Sequence, residues 1–131
     1  MPLESRYLQD NGVSFTLTQI QKHPKVESFE LLCKNSYYAL LRIKRVGRLS
    51  DLFVYIADVY TLTASDVNEI AFKYPDVNCI VIISVWNQYT AKAKELAKKY
   101  NIALFKQDEL WTALGRYGKL FLDTGNPTAT E

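Results

Sequence analysis

Cationic side chains that could bind phosphate oxygens are clustered in the sequence rather than spread evenly along it. Arginine presents a planar fork of N–H donors that matches phosphate geometry, and lysine adds a compact positive charge. The candidates are Arg42, Lys44 and Arg45, with Lys22 and Lys25 earlier in the chain. A further lysine group lies within residues 92–99, whereas the charged residues of 51–76 are mostly acidic. This segregation favours one positive face, and the alternative is an ordinary solvated surface with scattered charges.

Other catalytic chemistry finds little support in the residue types. His23 is the only histidine and precedes Pro24 in a predicted turn, so any Ser/His or Cys/His nucleophile system would have to use it. Cys33 and Cys79 stand apart without metal-ligand spacing, and we expect both to be reduced core residues. The glycines form neither a dinucleotide-binding pattern nor a phosphate loop. We therefore expect no resident cofactor.

The composition is typical of a globular protein of one domain. The chain has 131 residues, of which 48% are hydrophobic and 23% charged, and its formal net charge is +2. No apolar stretch approaches the roughly 18 residues that a membrane helix needs, and the N-terminus lacks the apolar core of a signal peptide. We predict a cytoplasmic protein without membrane contact. Residues 1–122 are expected to form a single domain and residues 123–131 a flexible C-terminal tail.

The first half of the chain predicts a short helix followed by an antiparallel meander. The helix is predicted over residues 2–11 and ends at Asn11-Gly12. Apolar and polar residues alternate over 13–20, which predicts a strand with one buried face. Residues 28–33 and 37–45 then predict a hairpin, and residues 51–60 a further strand.

The second half predicts alternating helices and strands. Thr63 and Asp66 form a predicted capping box at the start of an amphipathic helix, which Pro75 ends. The β-branched run 79–84 predicts a central parallel strand, since both of its faces are apolar. The remaining predicted elements are a helix from Thr90 to Tyr100 with Asn101 as its C-cap, a strand over 102–105, and a last helix capped by Asp108 and ended by Gly115.

Alternation along residues 37–45 assigns the candidate cations to a face. Ala39, Leu41 and Ile43 fall on one side and are expected to pack under helices. Tyr38, Arg42 and Lys44 fall on the other side, which leaves them open to solvent or to a ligand.

This order of elements resembles the restriction-endonuclease-like, or PD-(D/E)XK, superfamily. Residues 80–102 resemble the strand, turn and Ala-rich helix of its Mrr-type members, and residues 103–110 resemble the short strand and helix start that close the domain. The resemblance implies an α/β fold in which helices cover both faces of a mixed β-sheet with an N-terminal antiparallel meander.

The same resemblance implies a metal-dependent active site, from which this sequence departs. The family places an Asp on the second strand of the meander and Glu-x-Lys on the third, where carboxylate oxygens hold the cation that activates water. The best match is Leu41-Arg42-Ile43-Lys44, in which Lys44 matches the lysine and Arg42 replaces the glutamate. Counting back along the hairpin puts Phe29 at the aspartate position, with Glu30 on the opposite face. A guanidinium at this place would repel Mg²⁺ and attract phosphate.

We therefore expect a catalytically inactive nuclease-fold module that binds the DNA or RNA backbone through a basic cleft. Its candidate residues are Arg42, Lys44, Arg45, Lys22 and Lys25.

Two alternatives remain open. One is a protein-interaction or homodimerisation module, in which the tyrosines together with Trp86 and Trp111 build a partner surface. The other is an active endonuclease in which Glu30 or Asp51 enters the cleft, and this alternative alone requires Mg²⁺.

Overall fold

The computed structural model describes residues 10–83 and 87–127, which form a mixed α/β fold. The elements in chain order are α1 (Asp10–Lys22), β1 (Val26–Lys34), β2 (Tyr38–Arg45), β3 (Leu52–Ala57), β4 (Thr61–Leu62), α2 (Ala64–Lys73), β5 (Cys79–Ile82), β6 (Gln88–Tyr89), α3 (Ala91–Lys99), β7 (Ala103–Lys106), α4 (Gln107–Ala113) and α5 (Gly118–Asp123). Most of the helix predicted over 2–11, residues 84–86 with Trp86, and residues 128–131 lie outside the described residues.

The main sheet has five strands in the order β1-β2-β3-β5-β7, and β4 and β6 form a separate two-stranded sheet. Strands β1, β2 and β3 are antiparallel neighbours, whereas β3, β5 and β7 are parallel. The predicted change from an antiparallel meander to helix–strand alternation is therefore confirmed. Strands β1, β3, β5 and β7 all begin at one end of the sheet, where β2 ends, and we call this the basal end.

Helices cover both faces of the sheet because strand residues alternate between two apolar clusters. One face packs against α1, α4 and α5, with Ile20, Leu110 and Phe121 in contact with residues such as Leu41 and Val81. The other face packs against α2 and α3 through Val67, Ile70, Ala93 and Ala97. Within the described residues, every helix is too short or too polar to span a bilayer.

The strand predicted over residues 13–20 is wrong, because these residues belong to α1. Val13, Thr16 and Ile20 are buried at helical spacing, while Phe15, which a strand would have buried beside Val13, is 55% exposed. The hydroxyl of Thr16 donates to the carbonyl of Gly12 at 2.9 Å. Hydrogen bonds of this kind, from a hydroxyl to the carbonyl four residues earlier, satisfy polar side chains within the helix. The predicted stop at Asn11-Gly12 is wrong for the same reason, since the helix continues through it.

Local capping signals place the later helices. Thr63 and Asp66 form the predicted capping box at the start of α2. The hydroxyl of Thr90 accepts the N–H of Ala93 at 3.0 Å and caps α3. The cap predicted at Asp108 is wrong: α4 begins at Gln107, with Lys106 at its N-cap position. The carboxylate of Glu109 accepts the backbone N–H of Lys106 at 2.9 Å, and so supplies the polar partner that Asp108 was expected to give.

The segment after α4 contacts the body of the domain. The ring of Phe121 packs edge-on against Phe105 with 5.3 Å between centroids. Thr124 is only 6% exposed, and the backbone N–H of Asn126 donates to Glu109 at 2.9 Å. Residues 123–126, which the sequence analysis assigned to a flexible tail, thus have specific partners. Their contacts depend on residues far away in sequence, which tail composition cannot reveal.

The two edges of the sheet differ. Strand β7 is one edge, and helices α4 and α5, which follow it along the chain, both pack against it. Strand β1 is the other edge, and its register with β2 shifts twice, between Val26 and Ser28 and between Leu31 and Cys33. Such irregularities bend a strand and interrupt its ladder.

Candidate nucleic-acid interface

Strand β2 presents the predicted candidates Arg42 and Lys44 on its outward face. The side chains of Ala39, Leu41 and Ile43 have no exposed surface, which matches the alternation expected from the sequence. The side chain of Arg42 is 49% exposed and that of Lys44 is 62% exposed.

The predicted registration of the hairpin is wrong. Phe29 lies opposite Ile43 and packs on the core face, whereas Glu30 lies directly opposite Arg42 and therefore shares its face. Moreover, the strand predicted over 13–20 is a helix, so β2 is the second strand of the meander and not the third. The match of Lys44 to the family lysine therefore loses its basis. The third strand is β3, and neither β2 nor β3 contains an Asp or Glu.

Both outward cations of β2 already face carboxylates. A terminal nitrogen of Arg42 lies 2.9 Å from the carboxylate of Asp51, and its guanidinium lies over the Phe53 ring at 5.6 Å. The ammonium of Lys44 lies 3.4 Å from the carboxylate of Glu27. Exposed pairs of this kind contribute about 0–1 kcal/mol each, so a phosphate could displace them. The carboxylates of Asp51 and Glu27 nevertheless neutralise much of the positive charge on which the predicted basic cleft depended.

Arg45 was predicted as a nucleic-acid contact, but it is 3% exposed and has a structural role. Its guanidinium donates to the carbonyls of Ser50 at 2.8 Å, Leu114 at 3.1 Å and Arg116 at 2.7 Å. Burial lowers the pKa of Arg45 from its ordinary value. The burial of Arg45 was predictable from the sequence, because Arg45 falls on the same inward side of β2 as Leu41 and Ile43.

The remaining two candidates, Lys22 and Lys25, are exposed at the basal end. The carbonyl of Lys25 accepts the N–H of Val46 at 2.9 Å, which joins it to the β2–β3 turn. A Cβ at Gly115 would lie 3.5 Å from the Lys25 side chain, so that side chain also borders the loop between α4 and α5. The five candidates are therefore divided: Arg42 and Lys44 lie on the sheet face, Arg45 is buried, and Lys22 and Lys25 are basal.

Three further cations join Lys22 and Lys25 at the basal end. Arg48 lies in the β2–β3 turn, Arg116 in the α4–α5 loop and Lys119 in the first turn of α5. Arg45 connects these two segments through its bonds to Ser50 and Arg116. We call the set the basal cluster; its members are Lys22, Lys25, Arg48, Arg116 and Lys119. Sequence analysis did not identify Arg116 and Lys119, because they are far from the other members in the chain.

An exposed aromatic ring lies among the cations of the basal cluster. Tyr117 is 75% exposed between Arg116 and Gly118, and Leu120 is 59% exposed one residue after Lys119. Cations beside an exposed ring are the combination that binds single-stranded nucleic acid, since the ring stacks on bases and the cations contact phosphates.

The direction of the helices explains why some of the cations lie at the basal end. Helices α1, α2, α3 and α4 all end at the basal end, where their C-terminal carbonyls carry partial negative charge. Lys22, Lys73, Lys98 and Lys99 lie in the last turns of α1, α2 and α3 and compensate for that charge. Lys25, Arg48, Arg116 and Lys119 lie outside those last turns, and Lys119 is at the start of a helix. Capping alone therefore does not account for the basal cluster.

A pocket of about 540 Å³ opens beside the cluster. Its lining combines apolar side chains, Leu52, Phe121 and Leu122, with the charged Lys98, Lys119 and Asp123. Ser50, Asn78, Asn101 and Gly118 complete it.

Three tyrosines fill the groove between the sheet and α2. The rings of Tyr38 and Tyr55 are stacked at 5.1 Å, and Tyr74 contacts both at 5.3 Å and 5.6 Å. Tyr55 is 4% exposed, and burial raises its pKa above the ordinary value. This cluster was not identified from the sequence, and its packing indicates a structural role.

His23 also has a structural role. Its Nε2 donates to the carbonyl of Trp111 at 2.8 Å, and its Nδ1 accepts the N–H of Lys25 at 3.1 Å. The two partners together require the neutral tautomer with the proton on Nε2.

Glu30 and Asp51, the acids on which the endonuclease alternative depends, both lie near Arg42. Among residues 10–83 and 87–127, no three His, Cys, Asp or Glu side chains group in a way that could hold a metal ion. Comparison with known protein families, curated proteins and solved structures gives no match to this chain.

Proposed function

We propose that this chain is a restriction-endonuclease-like module that binds the backbone of nucleic acid without cutting it, and that it binds through the basal end. Apart from the two-residue strands β4 and β6, the order α1, antiparallel meander, α2-β5-α3-β7-α4 resembles the order of that superfamily and supports the fold assignment. The lack of Asp and Glu on β2 and β3 supports the catalytically silent reading.

The observation that carries the proposal is the basal cluster. Its cations come from segments separated in sequence but joined by the Arg45 guanidinium and the Lys25–Val46 bond. The exposed Tyr117 gives the same surface a stacking platform. The basal end is a better candidate than the face of β2, because Arg42 and Lys44 lie 2.9 Å and 3.4 Å from carboxylates, whereas Lys119 lies 4.0 Å from Asp123 and its side chain is 91% exposed.

The test is the salt dependence of binding to a fluorescent single-stranded oligonucleotide. Neutralising four or five phosphates of a single strand predicts that log Kobs falls with log salt at a slope of about −2.8 to −3.5. The double variant Arg48→Glu with Lys119→Glu should weaken binding about tenfold or more. The control Lys34→Glu with Lys92→Glu changes net charge equally, at the end of β1 and the start of α3 that lie away from the basal end. Equal losses in both variants, or an affinity independent of salt, would contradict the proposal.

A second candidate is a protein-interaction surface, and an apolar groove favours it. Leu31 and Leu32 on β1 are 42% and 48% exposed. A groove of about 290 Å³ lies next to Leu32 and is lined by Leu40, Phe53 and Tyr74 among others. Sedimentation velocity tests this function: concentration-dependent dimerisation that Leu32→Ser abolishes would support it, and a monomer at all concentrations would count against a homodimer.

A further inference from the structure

We propose that the pocket beside the basal cluster, lined by Lys98, Lys119 and Asp123 among others, holds a nucleotide that carries a phosphate monoester. This nucleotide is the terminal one of a nucleic-acid strand. The inference rests on the proposed function, because it names the part of the nucleic acid that the basal end recognises. The ligand chemistry is a phosphate dianion attached to a flat, partly apolar body.

Lys98 and Lys119 in the pocket both lie near the carboxylate of Asp123. The carboxylate of Asp123 lies 2.9 Å from the ammonium of Lys98 and 4.0 Å from that of Lys119. All three side chains are at least 36% exposed, so solvent and solutes reach the site. The hydrogen bond from Lys98 lowers the pKa of Asp123 from its ordinary value. The carboxylate thus occupies a position suited to phosphate oxygens.

The competition between Asp123 and a ligand favours a terminal phosphate. A phosphate monoester carries a charge of about −1.5 to −2 at neutral pH, and its three terminal oxygens accept hydrogen bonds. An internal phosphodiester carries a single charge, no more than the carboxylate does. The dianion therefore displaces Asp123 from the lysines more readily than the diester does.

The rest of the pocket suits the nucleoside. Leu52 and Leu122 offer apolar surface, and the Ser50 hydroxyl can donate a hydrogen bond because its oxygen already accepts one from Arg45 at 3.2 Å. The volume of about 540 Å³ falls in the range of small-ligand pockets.

The pocket is continuous with the basal cluster. Lys119 belongs to both, and Ser50 lies two residues after Arg48 in the same turn. A strand whose end occupies the pocket would therefore continue over Arg48, Arg116 and Tyr117.

The experiment measures binding of one internally labelled oligonucleotide with a 5′-phosphate, with a 3′-phosphate or with hydroxyls at both ends. We expect one phosphorylated form to bind about tenfold more tightly than the hydroxyl form, the gain of one charge-assisted contact. Lys98→Met should abolish that preference, while the hydroxyl form should weaken by no more than the loss of one positive charge near the strand, since that form brings no phosphate dianion to Lys98. Asp123→Asn should increase the preference, because it frees both lysines at nearly constant volume. Lys92→Met is the matched control and should change neither.

Each contrary result has a distinct meaning. If all three forms bind equally tightly, the inference fails while the proposed function stands. If none binds, both fail. If AMP binds the pocket, as judged by loss of its binding in Lys98→Met, but the oligonucleotides show no preference, the terminal-nucleotide assignment is overturned in favour of a free nucleotide. Circular dichroism of each variant verifies folding, and a preference that survives in folded Lys98→Met also overturns the inference.

Discussion

The ammonium nitrogen of Lys94 lies 2.6 Å from the carbonyl oxygen of Thr124, so a buried cation of α3 holds the segment that follows α5. The same nitrogen donates to the carbonyl of Leu104 in β7 at 2.6 Å and lies 4.9 Å from the centroid of the Phe105 ring. Lys94 is only 5% exposed. One side chain therefore joins α3, the edge strand and the C-terminal segment.

This arrangement predicts a stability that rises with pH just above neutrality. Burial lowers the pKa of Lys94 to about 8, although Glu109, Cys79 and Asp123 raise it. An unfolded lysine titrates near pH 10.4, so between about pH 8 and pH 10.4 the unfolded chain binds more protons and unfolding becomes less favourable as pH rises. We expect the free energy of unfolding to increase by about 1 kcal/mol from pH 8 to pH 9 and Lys94→Met to abolish the increase. Urea denaturation at half-unit pH steps measures it.

Cys79 needs a control in that experiment because its linkage has the opposite sign. Burial raises the pKa of the Cys79 thiol to about 12, so its contribution to stability falls as pH rises above the ordinary thiol value. Cys79→Ala should therefore steepen the rise near pH 9. An undiminished rise in Lys94→Met would refute the assignment to Lys94.

Arg42 is an outward cation of β2 and Arg45 an inward one, and they should differ sharply in their effect on stability. Arg45→Met leaves the carbonyls of Ser50, Leu114 and Arg116 without their donor, so we expect a loss of about 2–4 kcal/mol. Arg42→Met removes only an exposed pair and should cost less than about 1 kcal/mol. The free energy of unfolding in urea measures both. Similar losses in the two variants would argue against the structural role of Arg45.

Gly125 is expected to tolerate no side chain. A Cβ there would lie 2.5 Å from Glu109 and 2.7 Å from the Tyr89 hydroxyl, and its φ is +96°. Gly47 has a φ of +64° but no atom within 4 Å of the added carbon, so Gly47→Ala reports backbone strain alone, about 1–2 kcal/mol. Gly125→Ala should lower the thermal midpoint further than Gly47→Ala does. The reverse order would mean that the C-terminal segment can move away at little cost.

Thr63 should contribute measurably through its capping box. Its side chain and that of Asp66 satisfy each other's backbone N–H groups, so Thr63→Ala is expected to cost about 1 kcal/mol. Thr112→Ala, at an exposed position within α4, is the matched control and should be close to neutral. Thermal denaturation compares them, and equal effects would show that the cap contributes nothing.

The elements that sequence predicts well are those fixed by neighbours in the chain. The capping residues Thr63 and Thr90 and the apolar run at 79–82 act within a few positions, and each gave an element close to the observed one. Residues 13–20 failed because Val13, Phe15 and Leu17 fit a period of two, while burial of Val13, Thr16 and Ile20 follows a helical period that depends on packing against the sheet.

The candidate site was less predictable because it is assembled from distant segments. The inward direction of Arg45 could have been read from alternation along β2. Nothing in the sequence around Arg116 or Lys119, by contrast, indicates that they lie beside Lys25, because the Arg45 bonds that join these segments span about seventy positions. The hairpin error has a similar origin, since the two register shifts in β1 are set by its pairing with β2.

Those two shifts also bear on how copies of the chain behave at high concentration. A straight, unpaired edge is a template onto which further copies add strand by strand, and growth of that kind leads to fibrils. Here β1 is bent out of a regular ladder at two places, so this side of the sheet does not offer a straight, continuous template. We therefore expect strand-by-strand growth at β1 to require prior local unfolding of that edge.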